Sequence, residues 1–161
     1  MTTSFKEFLR QQAEKHQAEV RAGKASVEEW RAAIDRLFTQ IRAWLAESDP
    51  EGIIEIKEGK QRLTESGLGR YEVPRLDLHA FGQWIGIIPK ARKTVGVATP
   101  PQRSVPKRSA GRVDITDELR RYVLYRFQEE GGDVWLIDDL QSELKPLDQE
   151  QFERALKSYL E

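Results

Sequence analysis

Glu55-Ile-Lys57 closes an apolar run with the carboxylate-x-lysine spacing of one half of a metal-dependent nuclease site. That chemistry needs a second carboxylate beside Glu55, carried on the preceding strand, to hold a magnesium ion against the substrate. The nearest upstream acid is Asp49, which precedes Pro50 at the end of a helical segment with no strand between. Glu55 and Lys57 alternating on the wet face of one strand is the simpler account, and a hydrolase or nuclease using Glu55 and Lys57 is a minor alternative. Leu136-Ile-Asp-Asp139 has the apolar-strand-plus-acid form that holds magnesium in nucleotide hydrolases. The phosphate-cradling Gly-x-x-x-x-Gly-Lys-Ser/Thr loop is missing, so Asp138 and Asp139 read as a turn. His79 follows Leu78 on a strand with no second histidine nearby, and it reads as a hydrogen-bonded structural residue. No serine stands in a Gly-x-Ser-x-Gly setting.

The chain has 161 residues, no cysteine and two histidines, His16 and His79, which excludes disulfides, thiolate metal sites and cysteine nucleophiles. Catalytic residues, metal ligands and cofactors are therefore expected to be none, and the chain reads as non-enzymatic.

Charge is the uneven feature. The 26 basic and 27 acidic side chains nearly cancel, but residues 1–50 are neutral, 51–112 carry +6 and 113–161 carry -7. Between Asp77 and Asp114 lie 36 positions without an acid. From Pro89 onward that interval holds Lys90, Arg92, Lys93, Arg103, Lys107, Arg108 and Arg112 among prolines, serines and glycines, the composition of a loop. Cations of this density suit a phosphate backbone, whose counterions they release, and Phe81 and Trp84 just upstream offer stacking faces for single-stranded bases. The competing accounts are a solvated connection and an acidic protein surface, the chain's own acidic end included.

These residues need elements to position them. Ser4-Phe-Lys-Glu7 is a capping box opening a helix that should run to about 20–22, with Gly23 as its stop. Ser26-Val-Glu-Glu29 is a second capping box, opening a helix with apolar residues at Val27, Trp30, Ile34, Leu37, Ile41 and Trp44. Those steps of three and four mark a seam that packs along its whole length. Short strand-like runs follow at 52–57, 71–73, 75–79, 83–88, 94–97, 112–115, 122–127 and 133–137, punctuated by glycine and proline, with turn signals at 66–70 and 130–133. Their spacing without intervening helices predicts an antiparallel meander. Asp148 caps a final helix, Gln151 completes its box, and Leu147 with Phe152 forms a staple.

Several of these phrases occur together: WRAAIDRLFTQIRAWL within 27–45, SGLGRYEVPRLDL at 66–78, GRVDI at 111–115, VWLIDD at 134–139 and LDQEQFERALKSYL at 147–160. In this combination the chain resembles a set of uncharacterised bacterial proteins built from a helical hairpin, a strand-rich domain and a terminal helix. The resemblance implies that architecture and carries no reaction or ligand.

The expected fold is α+β: a helical hairpin over 1–49, then an antiparallel sheet of six to eight short strands with a packed terminal helix over 50–161. The first helix offers a thin stripe (Phe5, Phe8, Leu9, Ala13, Val20) to the richer seam. Val27, Trp30, Ile34, Leu37, Ile41 and Trp44 are therefore candidates for a homodimer or partner interface, with core packing as the alternative. The N-terminus lacks the apolar core of a signal peptide, and no run reaches the ~18 apolar residues of a membrane span, so a cytoplasmic location and no membrane partner are expected. The leading functional expectation is a binding or adaptor module engaging a macromolecule, nucleic acid favoured, through the basic loop 89–112. The alternatives are an assembly subunit dimerising through the helical hairpin, and the hydrolase above.

Overall fold

The computed structural model describes residues 4–93, 109–139 and 144–161. The fold is α+β, as the periodicity predicts. Helix α1 (Phe5–Ser48) is followed by strands β1 (Glu55–Glu65), β2 (Gly69–Ala80), β3 (Gln83–Ala91), β4 (Arg112–Thr116), β5 (Arg121–Glu129), β6 (Gly132–Asp138) and β7 (Lys145–Pro146), and by helix α2 (Gln149–Leu160). The seven strands form one antiparallel sheet in chain order, a pure meander. Among the described residues no helix is long and apolar enough to cross a membrane.

The hairpin is corrected to a single helix of 44 residues. Gly23 does not stop it. Its role is close approach: a Cβ there would stand 2.8 Å from the Gly67 carbonyl oxygen in the β1–β2 turn. Glycine inside a helix costs about 1 kcal/mol, but the flanking residues are good helix formers and the packed half supplies the costly nucleus. The Ser4 cap forms as read, its side chain accepting from the Glu7 amide at 3.2 Å. So does the cap of α2, where Asp148 Oδ1 accepts from the Gln151 amide at 2.8 Å, whereas the capping box expected at Ser26 lies inside α1 and starts no helix.

Residues 71–73 and 75–79 belong to one strand, with Pro74 inside it opposite Lys60. β3 pairs with β2 only from Leu76 onward, so Pro74 stands where β2 is an edge, and its missing N–H costs no ladder bond. The run at 52–57 starts its strand later, at Glu55, and β1 continues through the polar stretch to Glu65. Turns fall at 66–68 and 130–131 as the glycines indicate. Phe81 and Gly82, both with positive φ (53° and 73°), form a two-residue turn between β2 and β3. The run at 94–97 lies outside the described residues.

Register places Leu76, Leu78, Ile85, Ile87, Val113, Ile115, Leu124 and Ile137 on one face of the sheet, where they share a core with the buried α1 residues Val27, Trp30, Ala33, Ile34, Leu37, Phe38, Ile41 and Leu45. Trp30 stacks on Trp135, and a Cβ at Gly111 would stand 2.3 Å from the Trp30 ring, so only glycine fits there. α2 lies on the same face. Its Phe152 meets Trp44, and the Tyr159 hydroxyl donates to the Ile115 carbonyl at 2.7 Å. Among the described residues, no helix covers the opposite face.

Candidate nucleic-acid interface

The described cations of the basic segment sit at its two flanks. Lys90 is exposed near the end of β3. Arg92 Nε lies 3.4 Å from Glu29 Oε2, an ion pair to α1 without hydrogen-bond alignment. Lys93 Nζ donates to the Ser66 carbonyl at 2.9 Å, while the amides of Arg92 and Lys93 donate to the Glu65 carboxylate at 3.0 and 2.8 Å. Arg112 grips Asp114 through two bonds of 2.8 and 3.1 Å. Three of the four therefore have internal partners. Arg103, Lys107 and Arg108 lie outside the described residues.

Both flanks converge on one buried cluster that sequence reasoning missed. Arg126, 1 % exposed, bonds both Glu29 oxygens, donates to Asp133 Oδ1 at 2.8 Å and to the Ala110 carbonyl at 3.3 Å, and lies over the Trp30 ring. Arg36 holds the other Asp133 oxygen at 2.6 Å, and Gln128 Nε2 donates to Glu29. The Arg126 hydrogen bond draws the Glu29 carboxyl below its usual range, outweighing burial. At Asp133 burial pushes upward, but the bonds from Arg36 and Arg126 prevail and the carboxyl is held low. Beside the cluster the Tyr71 hydroxyl donates to Glu65. Its burial and that carboxylate keep it protonated far above the ordinary phenol range. Glu29 and Arg126 are 97 positions apart, so no local spacing could announce them.

The helix-free face of β1–β3 carries Lys57, Arg75, Asp77, His79, Trp84 and Gly86, aligned by the pairs Lys57–Asp77, His79–Trp84 and Asp77–Gly86. Trp84 Nε1 donates to Asp77 Oδ1 at 2.8 Å. Arg75 bonds the same carboxylate at 2.7 and 3.2 Å, with its guanidinium carbon 6.0 Å from the Trp84 ring centroid. The ring occupies the space over Gly86, where a Cβ would come within 2.5 Å of Trp84 Cζ2. At Asp77 burial raises the carboxyl pKa, but the Arg75 and Trp84 bonds dominate and lower it. Trp84 is thus a fixed, half-exposed aromatic ring, whereas Phe81 stands 74 % exposed at the neighbouring turn.

The other sequence candidates are placed differently. Glu55 and Lys57 are exposed and pair with each other at 3.6 Å. Asp49 caps the amides of Ile53 and Ile54 at 2.8 and 2.7 Å instead of standing beside Glu55. Among the described residues no three acidic, histidine or cysteine side chains gather as metal ligands. Val27, Trp30, Ile34, Leu37 and Ile41 are buried in the chain's own core and Trp44 packs against it, so the expected interface of Val27, Trp30, Ile34, Leu37, Ile41 and Trp44 is corrected to intramolecular packing. The seam found the sheet because the second half of α1 crosses it. What α1 leaves uncovered is its other half: residues 4–22 are all exposed, among them Phe5, Phe8, Leu9 and Val20.

No family model, curated protein or solved structure matches this chain.

Proposed function

We propose that the chain is a non-enzymatic binding module that engages nucleic acid through its basic segment 89–112. The observation that carries the reading is the acid-free interval of 36 positions, which concentrates seven cations between Lys90 and Arg112. Arg92, Lys93 and Arg112 have partners within the chain at the flanks, and we assign the phosphate contacts to Lys90, Arg103, Lys107 and Arg108. Each phosphate neutralised adds about 0.7 to 0.9 to the slope of log affinity against log salt. Fluorescence anisotropy with labelled oligonucleotides over a salt series is the test. Wild-type binding should weaken steeply as salt rises, and Arg103→Gln/Lys107→Gln/Arg108→Gln should lose it. A salt-independent affinity, or an unaltered one in the triple variant, overturns the proposal.

A second reading, assembly with another copy, is favoured by the uncovered half of α1. Aromatic and aliphatic side chains repeated at helical spacing on an unpaired helix are the usual raw material of helix–helix association. Light scattering after size exclusion distinguishes it, since this reading requires a dimer whether or not nucleic acid is present.

A further inference from the structure

We infer that two copies of this chain pair antiparallel, the free half of α1 in each lying across an apolar rim on its partner's sheet, an inference resting on the assembly reading above. The exposed large apolar side chains among the described residues fall into two groups: Phe5, Phe8, Leu9 and Val20 on the helix, and Ile53, Phe81 and Leu119. The second group shares one end of the meander. Phe81 is in the β2–β3 turn, Leu119 is in the β4–β5 turn, and Ile53 leads into β1, whose Glu55 lies opposite His79. The β1–β2 turn that meets Gly23 is at the other end, from which the free half of α1 departs. Copies set antiparallel therefore bring each helix to the other's rim, and the contact closes as a two-fold.

The rim is held in place by its own chain. Asp49 Oδ1 accepts from the Ile53 amide at 2.8 Å and Asp117 Oδ1 from the Leu119 amide at 3.1 Å. Phe81 and Glu118 are the two non-glycine residues with positive φ among the described residues, and a bulky side chain adopts that region only at a cost. Asparagine would make the Phe81 turn more cheaply, yet the position presents a phenylalanine to solvent. Length and charge both fit a helix from a second copy. From β1 to the β4–β5 turn is about 17 Å at the usual strand spacing, and Leu9 to Val20 is about 17 Å of helix. Lys6, Arg10, Arg21 and Lys24 follow one flank of the Leu9–Val20 stripe at the helical period, while Glu51 and Glu118 stand beside Ile53 and Leu119. All six are exposed, and none has an ion-pair partner among the described residues. A rim against a rim would set these acids against their own copies; a helix against a rim sets them against cations.

Sedimentation equilibrium over a concentration series tests this. It compares wild type, the rim swap Glu51→Lys/Glu118→Lys, the helix swap Arg10→Glu/Arg21→Glu, and a chain carrying all four changes, with thermal melts to check folding. Every contact occurs twice in a two-fold pair, so each swap should weaken the dimer about tenfold or more. The chain with all four changes again sets unlike charges face to face and should return to within about threefold of wild type. Phe81→Asn should weaken the dimer without lowering the thermal midpoint of the monomer, because asparagine accepts the positive φ. A rim swap or a Phe81→Asn variant that dimerises like wild type, or a four-change chain no tighter than either swap, overturns the inference and leaves helix–helix assembly standing. A wild type that stays monomeric at every concentration removes the assembly reading itself.

Discussion

Arg126 shows how much one side chain can hold together when its partners come from distant parts of the chain. It ties Glu29 of α1, Asp133 of β6 and the Ala110 carbonyl around one guanidinium. Removing one member of such a buried set leaves the others charged and unpaired, at a cost of about 3–5 kcal/mol. Arg126→Leu should therefore lower stability by ~3 kcal/mol, read as a reduced urea midpoint at unchanged slope. A loss below 1 kcal/mol would show that Arg36 and Gln128 already satisfy the two carboxylates. At this scale the sequence was only partly legible. The Arg112–Asp114 pair is an i, i+2 spacing on one strand face, and so was open to a reader. The Arg92–Glu29 and Arg126–Glu29 pairs depend on how a helix crosses a sheet, and no local pattern encodes that.

The elements were more legible than their boundaries. Caps at Ser4 and Asp148 are local chemistry, and alternation at Leu76/Leu78 and Val113/Ile115 marks strands with one buried face. Gly23 misleads because glycine serves equally as a helix stop and as a place where another backbone comes close, and only the neighbouring Gly67 distinguishes the two. The polar end of β1, Lys60–Glu65, lacks alternation and goes unread, and two-residue β7 is set by its pairing with Leu136 and Ile137 alone. The seam from Val27 to Trp44 announces a packed face without saying what packs on it. The first half of α1 follows the opposite logic, since its apolar residues are real but stay exposed among the described residues. Phe5→Ser/Phe8→Ser/Leu9→Ser should leave the thermal midpoint within about 2 °C of wild type, as exposed substitutions change stability by ~0.5 kcal/mol or less. If that half of α1 mediates self-association, the same triple variant should be monomeric by light scattering at concentrations where wild type is not.

For the whole molecule, the depressed carboxyls Glu29, Asp77 and Asp133 set the acid limit of stability. Each has a folded pKa below its unfolded value, 4.5 for Glu and 3.8 for Asp. Their contribution is fully present above those values and is lost as pH falls through the lower folded ones. Thermal midpoints should be nearly flat from pH 7 to about 5, then fall below about pH 4. Arg126→Leu should flatten that acid limb, because Glu29 loses its main cationic partner and Asp133 one of its two. A limb of equal steepness in the variant would place the linkage elsewhere in the molecule.

The register of β3 with β4 has a consequence for how this chain can vary. Ala91 and Arg112 face each other across the sheet, so the meander is closed whatever joins them. Joining two fixed points with the present 20 residues, in place of about five, costs only ~1.2 kcal/mol of closure entropy. Outside the anchored Arg92, Lys93, Ala110 and Gly111, the length and composition of that connection are therefore nearly decoupled from the stability of the sheet. Related chains could lengthen it, shorten it or recharge it toward other partners while keeping the same scaffold.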